Sequence, residues 1–326
     1  MATTAVDIPI IDLGPYLAGE RDAVRRAAGA LRHALEEVGF YYVVNHPIPP
    51  ALVTRIFAET ARFHALPLDD KLALRMNRHN IGYLPVGGSV SRASAIDTVK
   101  KPNVVEALFL KRDRTPDHPD VVAGVLFRGT NQWPANLPGF RDTCLEYFHA
   151  MEAFCLRLIP LYALALDLPE DFFAEAFREA QITLRLSHYP AVPRDADQYG
   201  ISPHTDSGFV TLLPNNVVEG LEIRPAGRDW TPAPDIPGSF IVNSGDVLKR
   251  WTNDRFLSTE HRVRYPASRD RHAVPYFFDP NTHWPIECLP TCHGPGNPPR
   301  YEPTTYERYL AWFTDGNYRA ETTARP

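Results

Sequence analysis

The feature that most limits what this chain can fold into is a change of pattern at Gln181. From there to Phe278 the sequence consists of short runs rich in β-branched and aromatic residues, separated by Gly, Pro, Asn and Asp. Several short strands at regular spacing are typical of a sandwich or barrel. The runs predicted to be strands are residues 182–189, 208–213, 221–224, 239–242, 247–251, 261–265 and 272–278.

Helical spacing dominates on either side of this stretch. Two amphipathic helices are predicted from apolar residues in 24–38 and 52–63, with a strand over 40–44 between them. A long helix is expected from about Phe140, and Pro160 should kink it or end its first segment. Thr304 with Glu307 is typical of a capping box at the start of a C-terminal helix.

The segment 71–132 shows no clear period and is expected to supply loops over a pocket. Because helices flank the strands without alternating with them, the sequence predicts one composite domain with a β core. Its parts are a helix-rich N-terminal region (1–180), the β core (181–281) and a C-terminal loop and helix (282–326).

Composition excludes several classes of function. A net charge of −5 gives no basic footprint for nucleic acid or an anionic membrane. No stretch approaches the roughly 18 unbroken apolar residues of a membrane span, and the N-terminus lacks the pattern of a signal peptide. The four cysteines do not make a disulfide framework, so a reducing, cytoplasmic setting is expected. Cys288, Cys292 and His293 lack a second ligand pair, so we predict no structural zinc there.

A possible metal site begins with His204 and Asp206. Side chains two residues apart on a strand point to the same face, so both can bind one ion. His261 opens a later predicted strand, 55 residues beyond Asp206, and distant strands can be neighbours in a closed barrel. Two imidazoles and one carboxylate form the facial triad that holds non-haem Fe(II). An isolated pair of this kind is more often a turn or surface feature, so the surrounding residues must decide.

Those surroundings form an ordered set of motifs. The chain resembles the isopenicillin N synthase-like family of Fe(II)- and 2-oxoglutarate-dependent dioxygenases from about Ile8 to Phe313. The motifs that carry the resemblance are Ile8-Pro9-Ile10-Ile11-Asp12-Leu13, Gly39-Phe40, Val44-Asn45-His46, Ala65-Leu66-Pro67, His204-Thr205-Asp206-Ser207-Gly208, Gly220-Leu221, Val242-Asn243-Ser244-Gly245-Asp246, Ser258-Thr259-Glu260-His261-Arg262-Val263, Arg271 and Phe277-Phe278-Asp279-Pro280.

The resemblance implies a mainly β fold with flanking α-helices, whose core is a distorted double-stranded β-helix (jelly roll). It implies that the triad named above binds Fe(II), and that Arg271 binds the distal carboxylate of 2-oxoglutarate. A guanidinium fork matches a carboxylate with two hydrogen bonds and stays charged when buried. Tyr189 corresponds to a family tyrosine that bonds the same carboxylate. Ser187 stands where many members carry asparagine and is a weaker candidate for cosubstrate binding.

One position departs from the family pattern. Members usually carry Arg-x-Ser, and the serine also bonds the distal carboxylate, whereas here Ala273 follows Arg271 and His272. Losing a hydrogen bond to a charged group costs about 1.5–3 kcal/mol, which is roughly tenfold to hundredfold in affinity. Tyr189 or a bound water could offset part of that loss. His272 should face the other side of the strand and is not a substitute.

Two further residues are candidates for substrate binding. Arg185 shares a strand face with Ser187 and Tyr189, so it could meet a carboxylate of substrate or cosubstrate, although a surface ion pair is an equally good interpretation. Phe277 matches a family position that often packs on substrate, but a core phenylalanine explains it as well. Gly82-Tyr83 and residues 101–106 are expected on loops at the mouth of the barrel.

The implied activity is oxidation of an unactivated C–H bond in a small organic molecule, by hydroxylation, desaturation or ring closure. O₂ and 2-oxoglutarate would be consumed, and succinate and CO₂ released. Ala273 keeps open a family oxidase that needs no 2-oxoglutarate. A non-catalytic small-molecule binder is the alternative from another class, and the complete triad argues against it. No motif identifies the substrate or the oligomeric state.

Overall fold

The computed structural model describes residues 7–89, 101–193, 198–215, 218–265 and 268–318. The helices are α1 (Gly14–Leu17), α2 (Ala23–Glu37), α3 (Pro50–His64), α4 (Leu68–Leu72), α5 (Pro119–Val122), α6 (Phe140–Ala165), α7 (Ala174–Phe177), α8 (Asp246–Trp251) and α9 (Tyr306–Asn317). The strands are β1 (Ile10–Asp12), β2 (Phe40–Val44), β3 (Gly82–Leu84), β4 (Glu106–Leu110), β5 (Gln181–Tyr189), β6 (Ile201–His204), β7 (Val210–Pro214), β8 (Leu221–Arg224), β9 (Thr231–Pro232), β10 (Phe240–Ser244), β11 (Glu260–Val263), β12 (Arg271–Ala273), β13 (Tyr276–Asp279), β14 (Pro285–Ile286) and β15 (Thr304–Thr305).

Two sheets form the walls of one cavity. The larger sheet has the order β1-β2-β10-β7-β13-β5-β4-β3, with β12 also paired to β5, and the smaller has the order β6-β11-β8-β9. Side chains from both sheets line the space between them. Helices α2 and α3 each pack against α6, and α3 also packs on β5. This is the predicted fold class, a jelly-roll core with flanking helices.

Strand β5 organises the larger sheet. It pairs with β4 along one edge and with β13 and then β12 along the other. The sequence predicts a single strand over 272–278, but Pro275 interrupts it because proline has no N–H to donate to a sheet. Successive side chains of β5 point to opposite faces, so one set faces the cavity and the other faces the helices.

The prediction of a strand over residues 247–251 is wrong. These residues belong to helix α8, whose buried residues Val247, Leu248 and Trp251 lie at the spacing of one helical face. An acidic residue in the first turn and basic residues in the last turn complement the helix dipole. The short apolar run therefore packs as a helix rather than a strand.

The expectation that 71–132 supplies only loops is also wrong in part. Strands β3 and β4 lie within it and extend the larger sheet beyond β5. Every residue of β4 is buried. Burial on both faces removes the alternation of polar and apolar residues by which a strand is recognised in a sequence.

Pro160 is expected to kink helix α6 or to end its first segment. The second alternative is wrong, because the helix runs unbroken through Pro160. The buried side chains on either side of it, from Leu158 to Tyr162, hold both halves in the core. By length and composition α6 could cross a membrane, but 56% of its most apolar stretch is buried inside the protein, as in a core helix.

The C-terminal helix begins one residue later than the predicted capping box. Thr305, not Thr304, is the N-cap, and its hydroxyl accepts a 3.4 Å hydrogen bond from the backbone N–H of Arg308. The predicted helices in the N-terminal half are confirmed as α2 and α3, and the strand between them is β2.

Candidate active site

Antiparallel pairing of β6 with β11 brings the two predicted histidine ligands together. His204 and His261 are direct register partners, and their ring centroids are 4.2 Å apart. Asp206 lies just beyond the end of β6, and its Oδ1 is 3.7 Å from the Nε2 atom of each histidine. The 55-residue gap in sequence is thus closed by one strand pair.

A hydrogen bond to a backbone carbonyl oxygen fixes the orientation of each imidazole. Nδ1 of His204 lies 2.8 Å from the carbonyl oxygen of Ser202, and Nδ1 of His261 lies 3.2 Å from that of Thr259. A carbonyl oxygen only accepts hydrogen bonds, so each Nδ1 carries the proton. Each Nε2 is therefore unprotonated, and its lone pair is free to bind a metal ion.

Among the described residues, hydrogen bonds reach the carboxylate of Asp206 on one oxygen only. Its Oδ2 accepts hydrogen bonds from Oγ1 of Thr211 at 2.5 Å and Nδ2 of Asn243 at 2.7 Å. Burial opposes ionisation, but the nearby histidines and these two donors outweigh it and hold the pKa of Asp206 below its usual value. Two imidazole nitrogens and one free carboxylate oxygen fit Fe(II), and carbonyl-bound histidines are the usual supporting arrangement.

Thr211 and Asn243 were not identified from the sequence. They are register partners on β7 and β10. The only signal was that each is a polar residue inside an otherwise apolar strand run, Val210-Thr211-Leu212-Leu213 and Phe240-Ile241-Val242-Asn243. A polar side chain buried in a sheet needs a partner, and here the partner is the carboxylate of Asp206.

Arg271 and Tyr189 face the same cavity from paired strands. They are register partners, and the guanidinium carbon lies 4.9 Å from the ring centroid of the tyrosine. Arg271 is 2% exposed, and burial lowers its pKa. Its Nε donates to the carbonyl oxygen of Val218 at 3.1 Å, while Nη1 has no hydrogen-bond partner within the described residues. The site thus presents a buried guanidinium with unused donor capacity.

The remaining predicted contacts divide into two groups. Arg185, Phe277 and Ala273 line the cavity. Ser187 does not line it, although it is the register partner of Ala273, and its hydroxyl has no hydrogen-bond partner in the described part of the chain. Arg185 is therefore not a surface residue, and Phe277 is not a core residue.

The expected mouth segments contribute less than predicted. Tyr83 is buried in β3 and its hydroxyl bonds Glu106, so neither residue lines the cavity. Asn103 does line it. The Oδ1 atom of Asn103 accepts from the backbone N–H of Ser202 at 2.9 Å and from its hydroxyl at 2.7 Å. Asn103 thereby braces the strand that ends in His204.

Several cavity residues were not singled out from the sequence. Lys111 is buried, its ammonium donates to the hydroxyl of Thr183, and burial lowers its pKa to about 8. Helix α9 closes part of the cavity with residues that carry no recognisable motif. The further lining residues include Phe40, Asn80, Phe109, Leu213, Leu221, Ile241, Val263, Phe313 and Tyr318.

A second group of two histidines and a carboxylate lies on the opposite face of β5: His64, Glu106 and His188, here called the helix-side cluster. Glu106 is 2.7 Å from Nδ1 of His188 and 2.9 Å from the ammonium of Lys71. His272 stacks on His188 with ring centroids 4.9 Å apart, so it faces away from the cavity as expected. Within the described residues, Cys288, Cys292 and His293 form no group able to hold a metal.

Comparison with known proteins adds two family matches. Residues 8–136 match the family model described as the N-terminal region of the non-haem dioxygenase in morphine synthesis. Residues 181–280 match the model of the 2OG-Fe(II) oxygenase superfamily. Together they cover both the helix-rich region and the β core.

Individual proteins agree with these matches. The chain is 35% identical over 317 residues to the 2-oxoglutarate-Fe(II) type oxidoreductase hxnY of Emericella nidulans, covering 94% of this chain and 88% of the relative. The crystal structure of a full-length Neurospora crassa protein in complex with alpha-KG superposes with a TM-score of 0.83 at 28% identity, covering 96% and 98% of the two chains. The same Neurospora protein with alpha-KG and thymine gives 0.82 at 28% identity, covering 94% and 98%.

Proposed function

Because the chain belongs to the 2-oxoglutarate- and Fe(II)-dependent oxygenases, we propose that His204, Asp206 and His261 hold its iron and that Arg271 anchors its cosubstrate. The protein is an oxidoreductase of the non-haem Fe(II) dioxygenase class, with 2-oxoglutarate and O₂ as cosubstrates. When bound, iron supplies the oxygen-activating chemistry that couples decarboxylation of 2-oxoglutarate to oxidation of a substrate C–H bond.

The convergence of three donor atoms is the observation that carries this proposal. The Nε2 atom of each histidine lies 3.7 Å from the Oδ1 of Asp206, and all three side chains are mostly buried. The carbonyl oxygens behind the histidines hold the protons on Nδ1, so no proton has to leave Nε2 before a metal binds. The donors on Oδ2 keep the Asp206 carboxylate ionised and aimed.

Arg271 supplies the opposite end of the cosubstrate site. Its free Nη1 and the neighbouring Tyr189 can hydrogen-bond the distal carboxylate of 2-oxoglutarate. The apolar side chains of Leu213, Ile241 and Val263 line the same cavity. By limiting water they strengthen the attraction between this guanidinium and a carboxylate.

The rest of the cavity receives the primary substrate, a small organic molecule. Arg185 and Phe277 face this space, and we propose that both contact the substrate. The Neurospora crassa protein, which shares the fold, holds thymine together with alpha-KG, so a ligand of about that size is a reasonable first expectation here.

The cosubstrate assignment is tested by anaerobic titration of the Fe(II)-loaded protein with 2-oxoglutarate. We expect a weak, saturable visible charge-transfer band from the chelate. Removing the guanidinium in Arg271→Ala should weaken binding at least tenfold, since a charge-assisted hydrogen bond contributes about 1.5–3 kcal/mol. Arg271→Lys keeps the positive charge but lacks the forked guanidinium. Its affinity for 2-oxoglutarate should lie between those of the wild type and Arg271→Ala.

Three results would overturn parts of this proposal. Iron binding without any band would remove the cosubstrate role of Arg271. An undiminished band in Arg271→Ala would place the distal carboxylate elsewhere. Succinate release that persists in His204→Ala would exclude the proposed iron ligands.

A further inference from the structure

Arg185 is a buried cation that meets no counter-ion in the described part of the chain. It is 8% exposed, and its guanidinium carbon lies 5.2 Å from the ring centroid of Phe109, its register partner across β4 and β5. Its Nε has no hydrogen-bond partner among the described residues. Burying a charge is costly unless the charge is paired, so this position needs an anion that the cavity itself does not supply.

The other buried arginines show how unusual this is. Within the described residues, four besides Arg185 are buried to the same degree. Three of these pair with carboxylates of the chain, Arg114 and Arg128 with Asp120, and Arg262 with Glu222. The fourth is Arg271, for which the proposed partner is the cosubstrate. Arg185 is the remaining one, and by the same reasoning its partner is also a ligand.

Among the described residues that line the cavity, the other charges form matched sets. The positive charge of Lys111 is balanced by the negative charge of Asp279. Under the proposed function, Arg271 is matched by the distal carboxylate of 2-oxoglutarate. Two positive charges of Fe(II) are matched by Asp206 and by the 2-oxo acid end of the same cosubstrate. One positive charge then remains uncompensated, and it is on Arg185.

Aromatic side chains define the space beside this charge. Phe109 lies against the guanidinium, and Phe277 is paired with Thr183, two residues along β5 on the same face. Tyr318 lines the same cavity. Its ring packs edge-on against Phe109, the residue that Arg185 also contacts, with ring centroids 5.8 Å apart. Flat apolar walls beside a cation suit a ring that bears an anionic group.

We infer that the primary substrate is a small planar carboxylic acid and that Arg185 binds its carboxylate. This inference rests on the proposed function, because the charge balance assumes bound iron and 2-oxoglutarate. It goes beyond it by naming the chemical class of the substrate and the residue that selects it. A neutral ring with a carbonyl group would accept hydrogen bonds from Arg185 but would leave its charge uncompensated.

The test is a binding comparison between matched acids and amides. The probes are benzoate with benzamide, indole-3-acetate with indole-3-acetamide, and thymine as a neutral planar ring. Binding to the anaerobic Fe(II)- and 2-oxoglutarate-loaded protein is measured by calorimetry. We expect at least one acid to bind at least tenfold more tightly than its amide, and the preference to disappear in Arg185→Gln.

Two controls separate this inference from loss of fold and from the proposed function. Arg25, an exposed arginine of α2, gives the matched variant Arg25→Gln, which should keep the full acid preference. The 2-oxoglutarate band should survive in Arg185→Gln. A missing band in the wild-type protein would defeat the proposed function. If the band is normal, three results would overturn this inference alone. They are that no acid binds, that amides or thymine bind more tightly than acids, or that Arg185→Gln binds acids as tightly as the wild type.

Discussion

Within the described residues, two groups of two histidines and one carboxylate lie on opposite sides of β5, and their surroundings differ. In the candidate iron site, the Oδ1 atom of Asp206 lies 3.7 Å from the Nε2 atoms of two histidines, whose described hydrogen bonds are made by Nδ1 instead. In the helix-side cluster, the carboxylate is that of Glu106. The two groups therefore contain the same types of donor atom, and they differ in how far hydrogen bonds within the protein already occupy those atoms.

The carboxylate of Glu106 is already fully occupied. One oxygen bonds His188, and the other bonds the ammonium of Lys71 and the hydroxyl of Tyr83. His64 uses its Nε2 on the carbonyl oxygen of Leu186. An ammonium 2.9 Å from the carboxylate would also repel a metal cation. We interpret this cluster as a structural network, and the comparison shows that donor identity alone does not define a metal site.

The largest expected difference between the two groups is in metal content. His204→Ala should remove bound iron and abolish succinate release, because one of three ligands is lost. The matched variant in the other group, His188→Ala, should keep one metal per chain. Elemental analysis of anaerobically loaded protein checks both. A second equivalent of metal in the wild type, lost in His188→Ala, would contradict the structural interpretation.

The next effect is on stability. Burial opposes ionisation of Glu106, but hydrogen bonds from His188, Tyr83 and Lys71 outweigh it and lower its pKa far below the ordinary 4.5. Glu106→Gln should cost about 3 kcal/mol of unfolding free energy at neutral pH, because Lys71 is left buried without its counter-ion.

The sign of the pH dependence follows from that shift. A carboxylate whose pKa is lowered by folding stabilises the protein above its unfolded pKa and loses that contribution as pH falls. The difference in unfolding free energy between wild type and Glu106→Gln should therefore shrink below pH 4.5. Denaturant titrations between pH 3 and 8, about the range in which carboxylates and histidines titrate, measure it. A difference in unfolding free energy that does not change with pH would show that the charge of Glu106 does not contribute to stability.

A smaller effect is expected from the residues that hold Asp206. Thr211→Val keeps the shape but removes the 2.5 Å hydrogen bond to Oδ2. Loss of such a supporting contact should weaken metal affinity by roughly tenfold to hundredfold. The matched change in the helix-side cluster is Tyr83→Phe, which should leave metal affinity unchanged. Competition with a metal chelator gives both values.

The smallest predicted effect concerns the departure at Ala273. Ala273→Ser would restore a hydroxyl on the cavity wall beside Arg271 and should tighten 2-oxoglutarate binding by up to about tenfold. Ser187→Ala should leave binding unchanged, because Ser187 does not reach the cavity. The charge-transfer titration measures both variants. Equal affinities in wild type and Ala273→Ser would mean that Tyr189 or water already supplies the missing bond.

The sequence identified the residues that carry the family's motifs. His204, Asp206 and His261 were found from their ligand types and spacing together with the resemblance, and Arg271 from the resemblance alone; the structure brings all four to one cavity. The β core was found because Gly, Pro and Asn punctuate its strands.

The elements that the sequence analysis missed are those without a recognisable pattern of polar and apolar residues. Strand β4 is buried along its whole length and so shows no alternation. Helix α8 is too short for its period to differ from that of a strand. The roles of Thr211 and Asn243 depend on contacts across β7 and β10, which no local pattern encodes.

Strand β5 also limits how this enzyme can change. Thr183, Arg185 and Tyr189 face the cavity, while His188 faces the helices. A deletion of one residue within β5 would exchange the two sets, moving a histidine toward the substrate and an arginine into the packed interior. Selection for new substrates can therefore act on this strand by substitution at every second position, and hardly at all by insertion or deletion. A library for altered specificity needs diversity only at those alternate codons.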